Sequence, residues 1–162
     1  MSASMRVIDQ AMLAELLRQA AESPRRRAIY RLHEHQEPVQ RMINAIMPGS
    51  YVQPHKHENP DKVELFAVLQ GQVACLQFTN TGVLDMVVTL DASGPIRVVD
   101  IPPRVYHSIV ALQPSALIEI IQGPYDAASH KQFADWAPPE HSPEAVAYLG
   151  QLEEQVRLRS GA

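Results

Sequence analysis

The stretch from Gly49 to Gly71 constrains this chain more than any other. It reads Gly-Ser-Tyr-Val-Gln-Pro-His-Lys-His-Glu-Asn-Pro-Asp-Lys-Val-Glu-Leu-Phe-Ala-Val-Leu-Gln-Gly. His55 and His57 stand two apart. In an extended strand alternate side chains share a face, so both imidazoles can aim at one point while Lys56 turns away. Glu64 follows a short polar loop and opens the apolar run Leu65 to Leu69. A hairpin folding this run back would return its carboxylate to the histidines. Further on, Pro102-Pro103-Arg104-Val105-Tyr106-His107 leads into the apolar Ser108 to Leu112 and offers a third imidazole. Three neutral nitrogens and one carboxylate suit a divalent transition metal, Zn, Fe, Mn or Ni.

The rest of the chain reads as short strands between two helices. Residues 1 to 8 are expected as a lead-in. Asp9 can cap a helix with apolar positions Leu13, Leu16, Leu17 and Ala20, which Ser23-Pro24 ends. Residues 28 to 40 are polar, and their His33/His35 pair has no apolar flank, so a surface or edge segment is expected. Strands are expected at Arg41 to Met47, Tyr51 to His57, Val63 to Leu69, Gln72 to Phe78, Val83 to Leu90, Ile96 to Ile101, Val105 to Leu112 and Ala116 to Gln122. Gln70-Gly71 is expected as a tight hairpin turn. Such even spacing argues a closed or sandwiched antiparallel sheet. After Gly123-Pro124 an irregular segment carries Phe133 and Trp136, and Ser142-Pro143 can open a last helix with a Val146, Leu149, Leu152, Val156 stripe. The organisation expected is a helix and lead-in over 1–37, a barrel over 38–124 and an irregular segment with a helix over 125–162.

Composition narrows the partners. A net charge of -4 gives no general attraction for nucleic acid, and Arg25-Arg26-Arg27 is a small solvated cluster. No apolar run approaches the roughly 20 residues of a membrane span, and no secretory leader is read at the N-terminus, so a cytoplasmic protein is expected. The one cysteine, Cys75, lies within Val73-Ala74-Cys75-Leu76 and reads as a buried small residue, with a reactive thiolate as the alternative.

The two histidine segments resemble the motifs of the cupin superfamily. Gly49 is followed by five residues and His55-Lys56-His57, and Glu64 is followed by six residues and Gly71. The gap between His57 and Glu64 holds six residues where that family usually has three or four, which keeps Glu58 as an alternative ligand. In the second motif Pro102 and His107 match, with Arg104 where glycine is common and Ala111 where an asparagine is usual. Within that superfamily the chain resembles the WbuC-type metalloproteins from about Val7 to Glu140. The resemblance includes Ser23-Pro24-Arg25-Arg26-Arg27, Pro38 to Ala45, Gly123-Pro124-Tyr125-Asp126 and Phe133 to Pro138. It implies a mainly β protein, a cupin double-stranded β-helix (jelly-roll barrel) with flanking N- and C-terminal helices, holding a divalent metal. The gene association behind the family name points to sugar chemistry linked to surface polysaccharide synthesis.

The metal ligands expected are therefore His55, His57, Glu64 and His107. Tyr51 shares the parity of the histidines, and Glu119, an acid within Ala-Leu-Ile-Glu-Ile-Ile, suits acid–base work; these two are the catalytic candidates. An ion pair of Glu119 with Arg41 or Arg104 is its structural alternative. Asn44 and Arg41 are further candidates for the cavity wall. His130 and His141 read as surface residues. One reading is a metal-dependent isomerase or oxygenase acting on a small polar molecule such as a sugar or sugar nucleotide. A second is a non-catalytic metal- or ligand-binding module, and a third is a metal-free sugar epimerase, which a complete ligand set argues against. A homodimer is the expected assembly.

Overall fold

A computed structural model of the chain describes residues 4–160; the outermost parts of the expected lead-in and of the frayed C-terminus lie outside the described residues. Helix α1 (Gln10–Glu22) is followed by strands β1 (Arg27–Arg31), β2 (Val39–Ile46), β3 (His55–Lys56), β4 (Glu64–Gln70), β5 (Gln72–Phe78), β6 (Leu84–Asp91), β7 (Val98–Ile101), β8 (Tyr106–Ala111), β9 (Ser115–Gln122) and β10 (Gln132–Phe133), then helix α2 (Glu144–Ser160). The strands form two five-stranded antiparallel sheets, ordered β1-β2-β9-β4-β7 and β10-β3-β8-β5-β6. This mainly β sandwich with flanking helices has the jelly-roll layout that the resemblance implies.

Alternation along the strands sorts side chains between three layers. Inward residues Ile46, Phe66, Val68 and Leu117 of the first sheet meet Val73, Cys75, Ile109 and Ala111 of the second. Burial pushes the Cys75 thiol up to about 12, so it packs as a small apolar group and not as a thiolate. Outward residues Ile43, Ala45 and Ala116 take the Leu13, Leu16 and Ala20 face of α1. Outward Ala74, Leu76, Phe78 and Val110 lie under Leu149, Leu152 and Val156 of α2. The Asp9 carboxylate accepts from the Met12 N–H at 2.9 Å and caps α1. At α2 the backbone carbonyl of Ser142 accepts from Ala145, while its hydroxyl has no partner among the described residues. The hairpin turn expected at Gly71 is present. Its φ of 78°, with the Pro114 carbonyl crowding the place a Cβ would take, admits only glycine.

The segment 28–40 is in part the edge segment expected, since β1 is the outer strand of its sheet and pairs along β2. Three expectations are corrected. His33 is not a surface residue: it is buried and accepts from the Arg41 N–H at 2.8 Å. Tyr51 to His57 is not one strand: only His55 and Lys56 pair, because Pro54 has no N–H to give to a ladder. A strand is also added beyond Gly123, where β10 pairs with β3.

Candidate metal centre

The four expected ligands come from three neighbouring strands and the loop after one of them. His55 on β3 stands opposite His107 on β8, while Glu64 opens β4 in the facing sheet. His57 follows β3, where its carbonyl accepts from the Arg104 N–H at 3.1 Å. The six-residue gap before Glu64 is taken up by a turn at 58–61, in which Asn59 has a φ of 58°, a conformation asparagine tolerates. Arg104 has a φ of 67°, which accounts for glycine being common at that motif position; here the Arg104 guanidinium is tied to Asp61 at 3.0 Å. Glu58 pairs with Lys56 and is not part of the cluster. One ligand atom from each of His55, His57, Glu64 and His107 lies within 4.8 Å of the others, and all four residues are only 2–3% exposed.

The protons on these rings are fixed by their outer neighbours. His55 Nδ1 is 2.9 Å from the Gln53 carbonyl, His57 Nδ1 2.6 Å from that of His130, and His107 Nδ1 2.9 Å from that of Val105. A carbonyl oxygen only accepts, so each neutral ring carries its proton on Nδ1 and turns an Nε2 lone pair inward. Those lone pairs face a carboxylate: Glu64 Oε2 is 3.1 Å from His57 Nε2 and 2.8 Å from His107 Nε2. His55 Nε2 and His107 Nε2 are buried and, among the described residues, have no hydrogen-bond partner of good geometry. Four converging electron pairs repel unless a proton or a metal cation sits between them. The donor set therefore fits a metal ion, with the backbone carbonyls as the outer supports that orient ligating imidazoles.

Electrostatics agree with that geometry. Burial, and then the charge of Lys131, hold His55 well below the ordinary imidazole value, so the ring stays neutral. Burial opposes ionisation of Glu64, but hydrogen bonds from His107 and His57, and the charge these rings carry when protonated, outweigh it and keep its carboxyl well below the usual range, so the cluster favours a positive charge at its centre. Burial, and then the nearby Glu64, push the Glu119 carboxyl up to about 8.

Two adjoining pockets of about 380 and 440 Å³ open beside the cluster; Glu64 and His107 line the second and His55 lines both. Glu119 lines both as well, and its Oε2 accepts from Asn44 Nδ2 at 2.5 Å. Its expected arginine partners are elsewhere: Arg41 pairs with Glu37 at 2.6 Å and Arg104 with Asp61. Tyr51 lines neither pocket. Its hydroxyl donates to the Pro138 carbonyl at 2.8 Å and its ring packs edge-on against Tyr148 on the far side of the second sheet. The parity that would aim it at the histidines does not carry through the unpaired residues before His55. His130, expected at the surface, is half-buried in the first pocket with its ring centroid 5.3 Å from that of His57. Burial, then the charge of Lys131, lower its pKa to about 4. Nothing in its flanking sequence signals this place; it reaches the site because β10 pairs with β3.

The family model for a domain of unknown function, DUF6016, matches residues 8–90. The chain belongs to the DUF6016 family. No curated protein matches it. Solved structures share the fold of this DUF6016 chain. An oxalate oxidase, in complex with the substrate analogue glycolate, superposes with a TM-score of 0.54 at 14% identity over 84% of this chain and 75% of its own. The capsular polysaccharide assembling protein CapF from Staphylococcus aureus gives 0.51 at 21% identity over 65% of this chain and 31% of its own. A cupin superfamily protein from Desulfitobacterium hafniense gives 0.47 at 19% identity over 59% of this chain and 76% of its own. At these identities the likeness to the oxalate oxidase and to CapF establishes a shared fold alone. Among the described residues no helix is long and apolar enough to cross a membrane.

Proposed function

We propose that this chain is a metal-binding cupin of the WbuC type, in which His55, His57, Glu64 and His107 hold one divalent transition metal and a small polar molecule, such as a sugar or sugar nucleotide, reaches it through the adjoining cavity. The observation that carries this reading is the set of inward Nε2 lone pairs facing the Glu64 carboxylate, each ring oriented by a carbonyl on its other nitrogen. A bound metal would supply Lewis acidity at the cavity floor. Glu119, on the cavity wall with its Oε2 held by Asn44, is placed to hand a proton to a bound molecule or take one from it.

Elemental analysis of purified protein tests the assignment. The wild type should carry stoichiometric metal, and the His55→Ala/His57→Ala variant should carry negligible amounts. Stoichiometric metal in the double variant overturns it. A non-catalytic metal- or ligand-binding module is the second reading, favoured by the same four side chains, because four protein ligands fill a tetrahedral sphere. The pockets reaching His55, Glu64 and His107 favour a site that admits a ligand.

A further inference from the structure

Strand β1 walls the cavity with alternate side chains. Arg27, Ile29 and Arg31 share one face and all line both pockets. Across the opening, Lys131 stands just before β10 and also lines both. These cations differ in what already holds them. Arg27 gives its guanidinium to Glu140 at 2.7 Å and to the Tyr51 carbonyl at 2.7 Å, and Arg25 is bound to the same carboxylate at 2.8 Å. Arg31 and Lys131 form no ion pair or side-chain hydrogen bond among the described residues. An acidic chain of net charge -4 thus keeps two cations without a partner among the described residues in the cavity beside its histidine cluster. Between them lie two exposed apolar surfaces, Ile29 at 46% and Phe133 at 54% exposure, the latter with its ring centroid 6.1 Å from that of His55. Apolar groups left in water inside a cleft mark a surface for the carbon skeleton of a ligand.

We propose that the cavity takes a small organic anion, a carboxylate or a phosphate ester, whose charged group is held by Arg31 and Lys131 while its skeleton lies on Ile29 and Phe133 and its polar end points toward the histidine cluster. The proposal deepens the metal-site reading and rests on it for that last orientation. The anion is drawn in by the local positive field despite the acidic chain, and its charged group is fixed by charge-assisted hydrogen bonds at the rim. Two anchors, a cationic rim and a metal floor, orient a molecule lengthwise in a way neither does alone.

Titration calorimetry on the full-length, metal-loaded protein tests this with matched pairs: lactate against lactamide, and glucose 1-phosphate against glucose. The anion of at least one pair should bind about tenfold or more tightly than its neutral partner, and the preference should shrink as salt is added. The pair that shows the preference separates a carboxylate ligand from a phosphate ester. In an Arg31→Met/Lys131→Met variant the preference should disappear while elemental analysis finds the same metal content. Equal binding, or no binding, of both members of both pairs overturns the inference, as does an undiminished preference in the double variant. Loss of metal from the wild type would instead overturn the underlying site, so the two failures are distinguishable.

Discussion

The two ends of the barrel interior are built from the same strands by the same alternation, yet they do opposite work. On β4, Glu64 faces one end and Phe66 and Val68 the other; on β8, His107 gives way to Ile109 and Ala111; on β9, Glu119 stands beside Leu117. The apolar end has little exposed surface, with Ile46, Phe66 and Ile109 also lining the second pocket, and its burial stabilises the sandwich. The polar end buries three imidazoles and a carboxylate whose electron pairs face one another, an arrangement that costs free energy until a cation enters. One step of period two along a strand converts a stabilising core into a binding site. Stability and function therefore lie side by side but on separable residues.

The sharpest way to break that separation is at Leu117, which is fully buried at the apolar end. Leu117→Ala leaves a cavity and should lower the unfolding free energy by about 2–5 kcal/mol, read by chemical denaturation. Metal per folded molecule should not change. Coupled loss of metal would show that the two ends are one unit. A change at the polar end should have the opposite sign. Glu64→Gln replaces one set of acceptor lone pairs with an amide that can donate to His57 Nε2 or His107 Nε2. The metal-free variant should be more stable than the metal-free wild type by about 1–2 kcal/mol, while losing stable metal binding. A less stable apo variant would mean that Glu64 is a structural partner of the histidines and not a ligand held ready for a cation.

The sequence is far more informative about one end of this comparison than about its surroundings. His55, His57, Glu64 and His107 were legible because each lies in a compact segment where spacing sets direction, and because the apolar runs beside them announce strands. The cavity wall was not. In β1 the inward positions are Arg27, Ile29 and Arg31, so the usual signal, apolar residues at alternate places, is inverted by the cavity they face. His130 and Lys131 sit in an irregular segment whose approach depends on the pairing of β10 with β3, which no local pattern encodes. Tyr51 misled through parity, because alternation holds only where a strand is paired and Pro54 interrupts it. Of the two helices, α1 follows directly from its capping aspartate and one apolar stripe, whereas α2 starts at Glu144 with no partner for the Ser142 hydroxyl among the described residues, and of its expected stripe Leu149, Leu152 and Val156 are buried while Val146 is exposed.

The smallest effect is expected at the rim, where Glu140 ties Arg25 and the largely buried Arg27 together. Burial raises the pKa of Glu140, but its hydrogen bond to Arg25 and the charge of Arg27 outweigh this and hold it below the ordinary value of 4.5. A carboxyl with a depressed native pKa stabilises the fold fully above its unfolded value and loses that contribution as the pH falls through the native one. Solvent screens the Arg25 side of the cluster, so the contribution at neutral pH should be about 1 kcal/mol. Glu140→Gln should lower stability by that amount at pH 7, and the deficit should vanish in strongly acid solution, where the wild-type carboxyl is itself protonated. Thermal unfolding of both proteins across the acid range measures the difference. Because Glu140 lines the first pocket but lies outside the four-residue cluster, the variant should keep its metal; its freed arginines should also tighten the binding of an anion in the cavity. A deficit that persists at acid pH would assign the loss to altered packing at this position rather than to charge, and would leave the rim with no electrostatic part in the site.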